Sequence, residues 1–138
     1  MKIELDKRLK EDTFLVADLP LSAILLMNNA LYPWLILVPR VEGVSELIDL
    51  SEGDRIQLMK EISFVSEHLK DMFAPDKLNV ASLGNQVSQL HVHIIGRYED
   101  DKSWPNPVWG GETYPYSDKI KDMMMERLEP MIEACSNL

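Results

Sequence analysis

Between Gln89 and Ile94 the chain alternates strictly between polar and apolar residues. Successive side chains on a β-strand point to opposite faces. Leu90, Val92 and Ile94 therefore face a core, and Gln89, His91 and His93 form a row on the other side, about 7 Å apart for every two residues. Two of the three histidines in the chain stand in this row. A stretch so patterned must be a strand with one buried face. Any fold for this sequence has to build a sheet around it.

The rest of the sequence supplies that sheet. Phe14–Asp18, Ser22–Met27, Trp34–Val38 and Leu78–Leu83 read as further strands. Pro20 stops the first, and Asn28-Asn29-Ala30 reads as a turn between the second and third. Ser51 is a suitable helix cap, with Glu52 and Asp54 at the positive end of the helix that follows. Leu58, Met59, Ile62, Val65, Leu69, Met72 and Phe73 share one helical arc, so this helix runs to about Met72. Phe64 falls outside the arc, with Lys60 and Asp71. Gly84–Ser88 is a polar loop that makes a hairpin of the last two strands. Ser117 caps a final helix with Ile120, Met124, Leu128, Met131 and Cys135 on one side, and Pro130 predicts a kink or an early stop. Strands, helix, strands, helix, with short connections, predict an antiparallel α+β domain occupying residues 1–138.

Composition narrows the function. The 138 residues are enough for one well-filled core. Hydrophobic content of 46% and charged content of 27% fit a soluble globular protein. The net charge of -9 argues against a nucleic-acid polymer or a membrane surface as partner, because both call for a basic face. It leaves room for a small phosphorylated ligand held by local donors. Cys135 is the single cysteine, so no internal disulfide and no cysteine-based zinc site can form, which fits a reducing cytoplasm. The apolar run from Ala23 to Val38 is broken by Asn28, Asn29 and Pro33, and the N-terminus has no signal-like core.

Three readings compete for His91 and His93. They are polar residues on a solvated face, two ligands of a metal, or a nucleophile with a proton-handling neighbour. The metal reading lacks ligands, since the remaining histidine, His68, lies on the long helix.

Gln-x-His-x-His followed by two apolar residues resembles the signature of the histidine triad (HIT) superfamily, His-x-His-x-His, with Gln89 in place of the first histidine. Gly84-Asn85-Gln86-Val87 is similar to that family's phosphate loop. Leu35–Arg40 after an asparagine turn is similar to its first hairpin, and Gly96-Arg97 to a common ending of its histidine strand. The resemblance spans residues 13–100. Trp104-Pro105-Asn106-Pro107-Val108-Trp109 looks like a tail found in a bacterial branch of the family, within an extension covering residues 101–138.

The resemblance implies a HIT-like fold, with an antiparallel five-stranded sheet, one long helix and a C-terminal helix. It implies a cytoplasmic homodimer that hydrolyses or transfers nucleotides at an α-phosphorus, on dinucleoside polyphosphates or nucleoside phosphoramidates. His91 falls on the family's nucleophile, and His93 and Gln89 on its partners. Asn28 or Asn29 would hold the ribose, and Gly84, Asn85 and Gln86 would surround the phosphate, with a carbonyl near Gly84 holding the His91 ring. No metal or cofactor is implied. The rival expectations are a nucleotide-binding regulatory protein with weak catalysis, and a metal-binding His-x-His strand in an unrelated fold. Phe64, on the outer helix face, would suit a subunit contact.

Overall fold

A computed structural model describes residues 3–138. Five strands form one sheet: β1 (Thr13–Asp18), β2 (Ser22–Met27), β3 (Trp34–Pro39), β4 (Lys77–Ala81) and β5 (Val92–Arg97). Their order is β1-β2-β3-β5-β4, and every neighbouring pair is antiparallel. The antiparallel α+β expectation holds. The register places Trp34 opposite Ile95 and Ile36 opposite His93, so these four residues share one face.

Each face has its own core. Ile24, Leu26, Leu35, Leu37, Val92 and Ile94 point to one side. There they meet α2 (Glu52–Phe73), α3 (Asp118–Arg127) and α4 (Glu129–Cys135) through Leu58, Val65, Leu69, Met124, Leu128 and Met131. Leu25, Trp34, Ile36, Val38 and Ile95 point to the other side, where Leu9, Tyr32 and Val108 cover them. A strand covered on both faces reads as a continuous apolar run, and β3 does. His91 and His93 belong to this second face.

Ser51 caps α2 as expected, accepting from the Asp54 amide. Ala74, in the left-handed conformation, and Pro75 end the helix. Two expectations for α2 need correction. Met59 is exposed, and Glu61 takes its place in the buried arc, accepting from the amides of Leu21 and Ser22 at the β1–β2 turn. Phe64 is half-buried against the helical core and tilted against the His68 ring, with centroids 4.5 Å apart. The helix is rotated enough that Phe64 lies on the flank of the arc rather than outside it. At the C-terminal end the break comes at Leu128, and Pro130 sits in the first turn of α4, where its missing N–H costs nothing.

A short helix, α1 (Lys7–Asp12), precedes the sheet and was not expected. Asp6 caps it by accepting from the Arg8 amide, and Leu9 is its one buried side chain. On β5, Gly96 lets the strand pass close beneath two neighbours. A Cβ there would stand 2.8 Å from Pro33 and 3.0 Å from Leu69. No helix is long and apolar enough to cross a membrane among the described residues.

Candidate active site

A cavity of about 460 Å³ opens on the α1 side of the sheet. Its volume is in the range of sites for small ligands. His91 and His93 form one wall, Asn85, Gln86 and Val87 another, and Trp109 a third, while Arg8, Leu9 and Asp12 close it from α1.

The hydrogen-bond partners of the two histidines orient their rings in opposite senses. His91 Nδ1 lies 2.7 Å from the Gln89 carbonyl oxygen. A carbonyl can only accept, so Nδ1 carries the proton and Nε2 carries the lone pair. The ring acceptor is thus supplied two residues before His91, not near Gly84. His93 is the reverse. The Trp34 indole N–H donates to its Nδ1 at 2.9 Å. An indole N–H can only donate, so Nδ1 accepts and the proton sits on Nε2. The rings meet edge to face, with centroids 4.9 Å apart. One imidazole therefore offers an electron pair and its neighbour an N–H.

His93 stays neutral. Burial, reinforced by the nearby His91, pushes its pKa down to about 3 from an ordinary 6.5. Trp34 and Trp109 pack edge-on against the same ring, with centroids 5.7 and 5.1 Å away. The consequence for stability has a definite sign. Between pH 6.5 and pH 3 the unfolded chain binds a proton at this residue that the folded chain refuses, so stability falls as pH falls through that window. At about 1.4 kcal/mol per pH unit, roughly 2 kcal/mol is lost by pH 5. Urea unfolding of the wild type and of His93→Phe at pH 7 and pH 5 checks this. The wild type should lose the larger increment, and equal losses would show that His93 titrates normally.

Gln89 departs from the expected row. The strand ladder begins only at Val92, and the Leu90 amide donates instead to the Val44 carbonyl. Freed from the ladder, the Gln89 side chain turns to the N-terminal segment. Its Oε1 accepts from the Asp6 amide at 2.7 Å and its Nε2 donates to the Glu4 carbonyl at 3.2 Å. It lines a separate hollow with Glu4, Asp6 and Ser88.

The asparagine turn is also occupied elsewhere. Asn28 Oδ1 accepts from the Tyr116 amide, and Asn29 Oδ1 accepts from the amides of Leu31 and Tyr114. Asn29 Nδ2 donates to the Glu112 carbonyl. Neither asparagine lines the cavity, and both face a neighbouring hollow beside Thr113 and Pro115. Gly84 is exposed and outside the cavity, whereas Asn85 and Gln86 are on its wall. Among the described residues, no group of three or more histidine, cysteine, aspartate or glutamate side chains comes together as a metal site.

Trp34, Arg8 and Asp12 are site residues that sequence reading missed. Trp34 could have been found from parity, since it shares a face with Ile36 across from His93. Arg97 does not reach the cavity. It is 2% exposed and pinned by Asp101, Asn79 and the Asn106 carbonyl. That knot holds the Trp104–Trp109 segment, which delivers Trp109 to the site.

The family model for the HIT domain matches residues 8–100. A histidine triad protein from Bradyrhizobium japonicum is 48% identical, with 94% of this chain and 97% of that one covered and a TM-score of 0.90. One from Marinobacter aquaeolei is 41% identical, covering 96% and 97%, with a TM-score of 0.92. One from Sinorhizobium meliloti is 38% identical, covering 92% and 95%, with a TM-score of 0.89. No curated protein matches the chain. The paired imidazoles at the end of an antiparallel sheet, and this match over most of the chain, make it a member of the HIT domain family.

Proposed function

We propose that this protein is a nucleotide hydrolase or nucleotidyl transferase that works at an α-phosphorus through His91. The observation that carries the reading is the Gln89 carbonyl on His91 Nδ1, which leaves the Nε2 lone pair for attack. Nε2 bonds to phosphorus, and the bond from phosphorus to the leaving group breaks. The oxygen of a water molecule, or of another acceptor, then bonds to phosphorus as the imidazole departs, releasing a nucleoside monophosphate or its ester. The His93 Nε2–H and the side-chain amides of Asn85 and Gln86 donate to the phosphoryl oxygens as charge builds on them. Trp34 keeps His93 a donor throughout. In this scheme Gln89 acts through its backbone carbonyl, and its side chain positions the N-terminal segment.

The test is incubation of the purified protein with a dinucleoside tetraphosphate and a nucleoside phosphoramidate in the presence of a chelator. Monophosphate release from either is the expected result. Activity that disappears on chelation and returns with one metal would overturn the metal-free scheme. A second reading has an observation of its own. With the Gln89 side chain committed to backbone groups, the site has two imidazoles instead of three, which favours tight nucleotide binding with slow turnover. A single-turnover measurement beside equilibrium binding separates the two.

We read residues 1–138 as one domain of a cytoplasmic homodimer. Ile56 and Met59 on the outward face of α2, and Val80 on the edge strand β4, are large apolar side chains left exposed. Sedimentation at micromolar concentration reads the oligomeric state directly, and a monomer would remove the dimer from this reading.

A further inference from the structure

We infer that α1 is the specificity element of this site, and that Arg8 on it binds negative charge carried beyond the α-phosphorus of the substrate. This rests on the nucleotide reading above. It follows from where the cations of α1 go. Lys7 pairs with Glu11 and Lys10 with Glu4, both away from the cavity. Arg8 makes no ion pair among the described residues. Asp12, one turn further along the helix, is the obvious partner at i,i+4, yet the two do not close. Arg8 turns instead to a neutral acceptor, the Gln86 side-chain oxygen, on the loop that forms the cavity wall beside His91.

The outcome is a guanidinium outside any ion pair among the described residues, on the wall of a small cavity whose other α1 charge is Asp12, in a chain of net charge -9. The Debye length is about 8 Å at physiological salt, so an anion bound within the cavity still feels a cation on its wall. A guanidinium also presents a planar fork of N–H groups that matches phosphate oxygens. Its contact with Gln86 uses one edge and leaves other donors available. If His91 attacks the α-phosphorus, an anionic leaving group is what this cation suits, and an uncharged amine gains nothing from it.

Gln89 makes the arrangement stable. Its amide nitrogen donates to the Glu4 carbonyl and its amide oxygen accepts from the Asp6 N–H, and Asp6 is the cap of α1. Leu9, 4% exposed, anchors the helix to the sheet between the two cavity-facing charges. The glutamine in the first triad position thus positions Arg8, with no direct contact to the reacting atoms.

Equilibrium binding tests this without relying on turnover. A purine nucleoside monophosphate and the corresponding triphosphate are titrated by calorimetry into the wild type, Arg8→Gln, Arg8→Lys and Gln89→Leu, with chelator present. The wild type should prefer the triphosphate. Arg8→Gln should reduce that preference by roughly tenfold or more, as expected for a charge-assisted contact. Arg8→Lys, which keeps the charge, should recover part of it. Gln89→Leu should reduce the preference too, and combining it with Arg8→Gln should add little further loss, because both act through one contact. Arg8 is exposed, so folding of its variants is not at risk, and circular dichroism confirms it. If the wild type binds both nucleotides and Arg8→Gln keeps the full preference, the inference is overturned while the nucleotide reading stands. If the wild type binds neither, both fall together.

Discussion

His91→Ala is expected to reduce release of monophosphate from any nucleotide conjugate by at least ~10³-fold, the scale on which removal of a nucleophile acts. The fold should survive. His91 is 5% exposed, but it faces the cavity, so truncation enlarges an existing space instead of opening a new one in the helical core. Unfolding midpoints for the variant should stay within about 1 kcal/mol of the wild type. Rapid mixing with a labelled conjugate, followed by an alkaline quench and recovery of labelled protein, supplies the second check. The wild type should carry label as a base-stable phosphoramidate and the variant none. Near-normal turnover in His91→Ala would sink the assignment.

Arg97→Leu should be the most destabilising change in the protein, costing about 3–5 kcal/mol. Arg97 and Asp101 are 2% and 5% exposed at their side chains, with nitrogen–oxygen distances of 2.7 and 3.0 Å. Removing the cation leaves the carboxylate buried and unpaired, which is the expensive outcome for such a pair. Burial alone would raise the Asp101 pKa. The Arg97 bond and the amides of Tyr98 and Trp104 more than reverse that, holding it down to about 2. This contribution is present above pH 3.8 and is lost as pH falls toward 2. Against a typical stability of about 5–15 kcal/mol, the variant should be marginal at neutral pH. Urea unfolding at pH 7 measures it, and a loss below about 1 kcal/mol would contradict the account. Because the same knot carries the segment that ends at Trp109, activity should fall even where the variant remains folded.

The elements legible in the sequence are those whose pattern is local. Alternation located β5, and an apolar arc with a serine cap located α2 nearly to the residue. The helix α1 escaped because six residues with one apolar side chain, Leu9, have no period to read. Gln89 was misplaced for a different reason. Alternation says that a segment is extended, but not where it leaves its neighbour, and here the ladder stops at Val92. Trp34 was hidden in a run that is apolar on both faces, where its one polar atom leaves no trace. The asparagines stand in the turn between β2 and β3 where the sequence placed them, but their contacts were not legible. Their side chains are committed to Glu112, Tyr114 and Tyr116, partners that no local rule connects to a turn at Asn28. The histidine pair itself was fully legible because both parity and spacing fix it.

The grips at the two ends of the chain have a kinetic consequence. Glu4 and Asp6 are fastened to a residue 85 and 83 positions later, and Asn28 and Asn29 to residues 88 and 83 or more positions later. Contacts of such sequence separation close large loops and form late. On the ribosome, at about 5–20 residues per second, β1, β2 and β3 emerge several seconds before the histidine strand and the tail. A nascent chain can therefore pair its first hairpins early, but α1 has nothing to hold it until Gln89 appears, and the asparagine turn has no tail to grip until Tyr116 does. The cavity should then be completed in one late step, when both ends of the chain are in place, rather than growing gradually as the sheet is assembled.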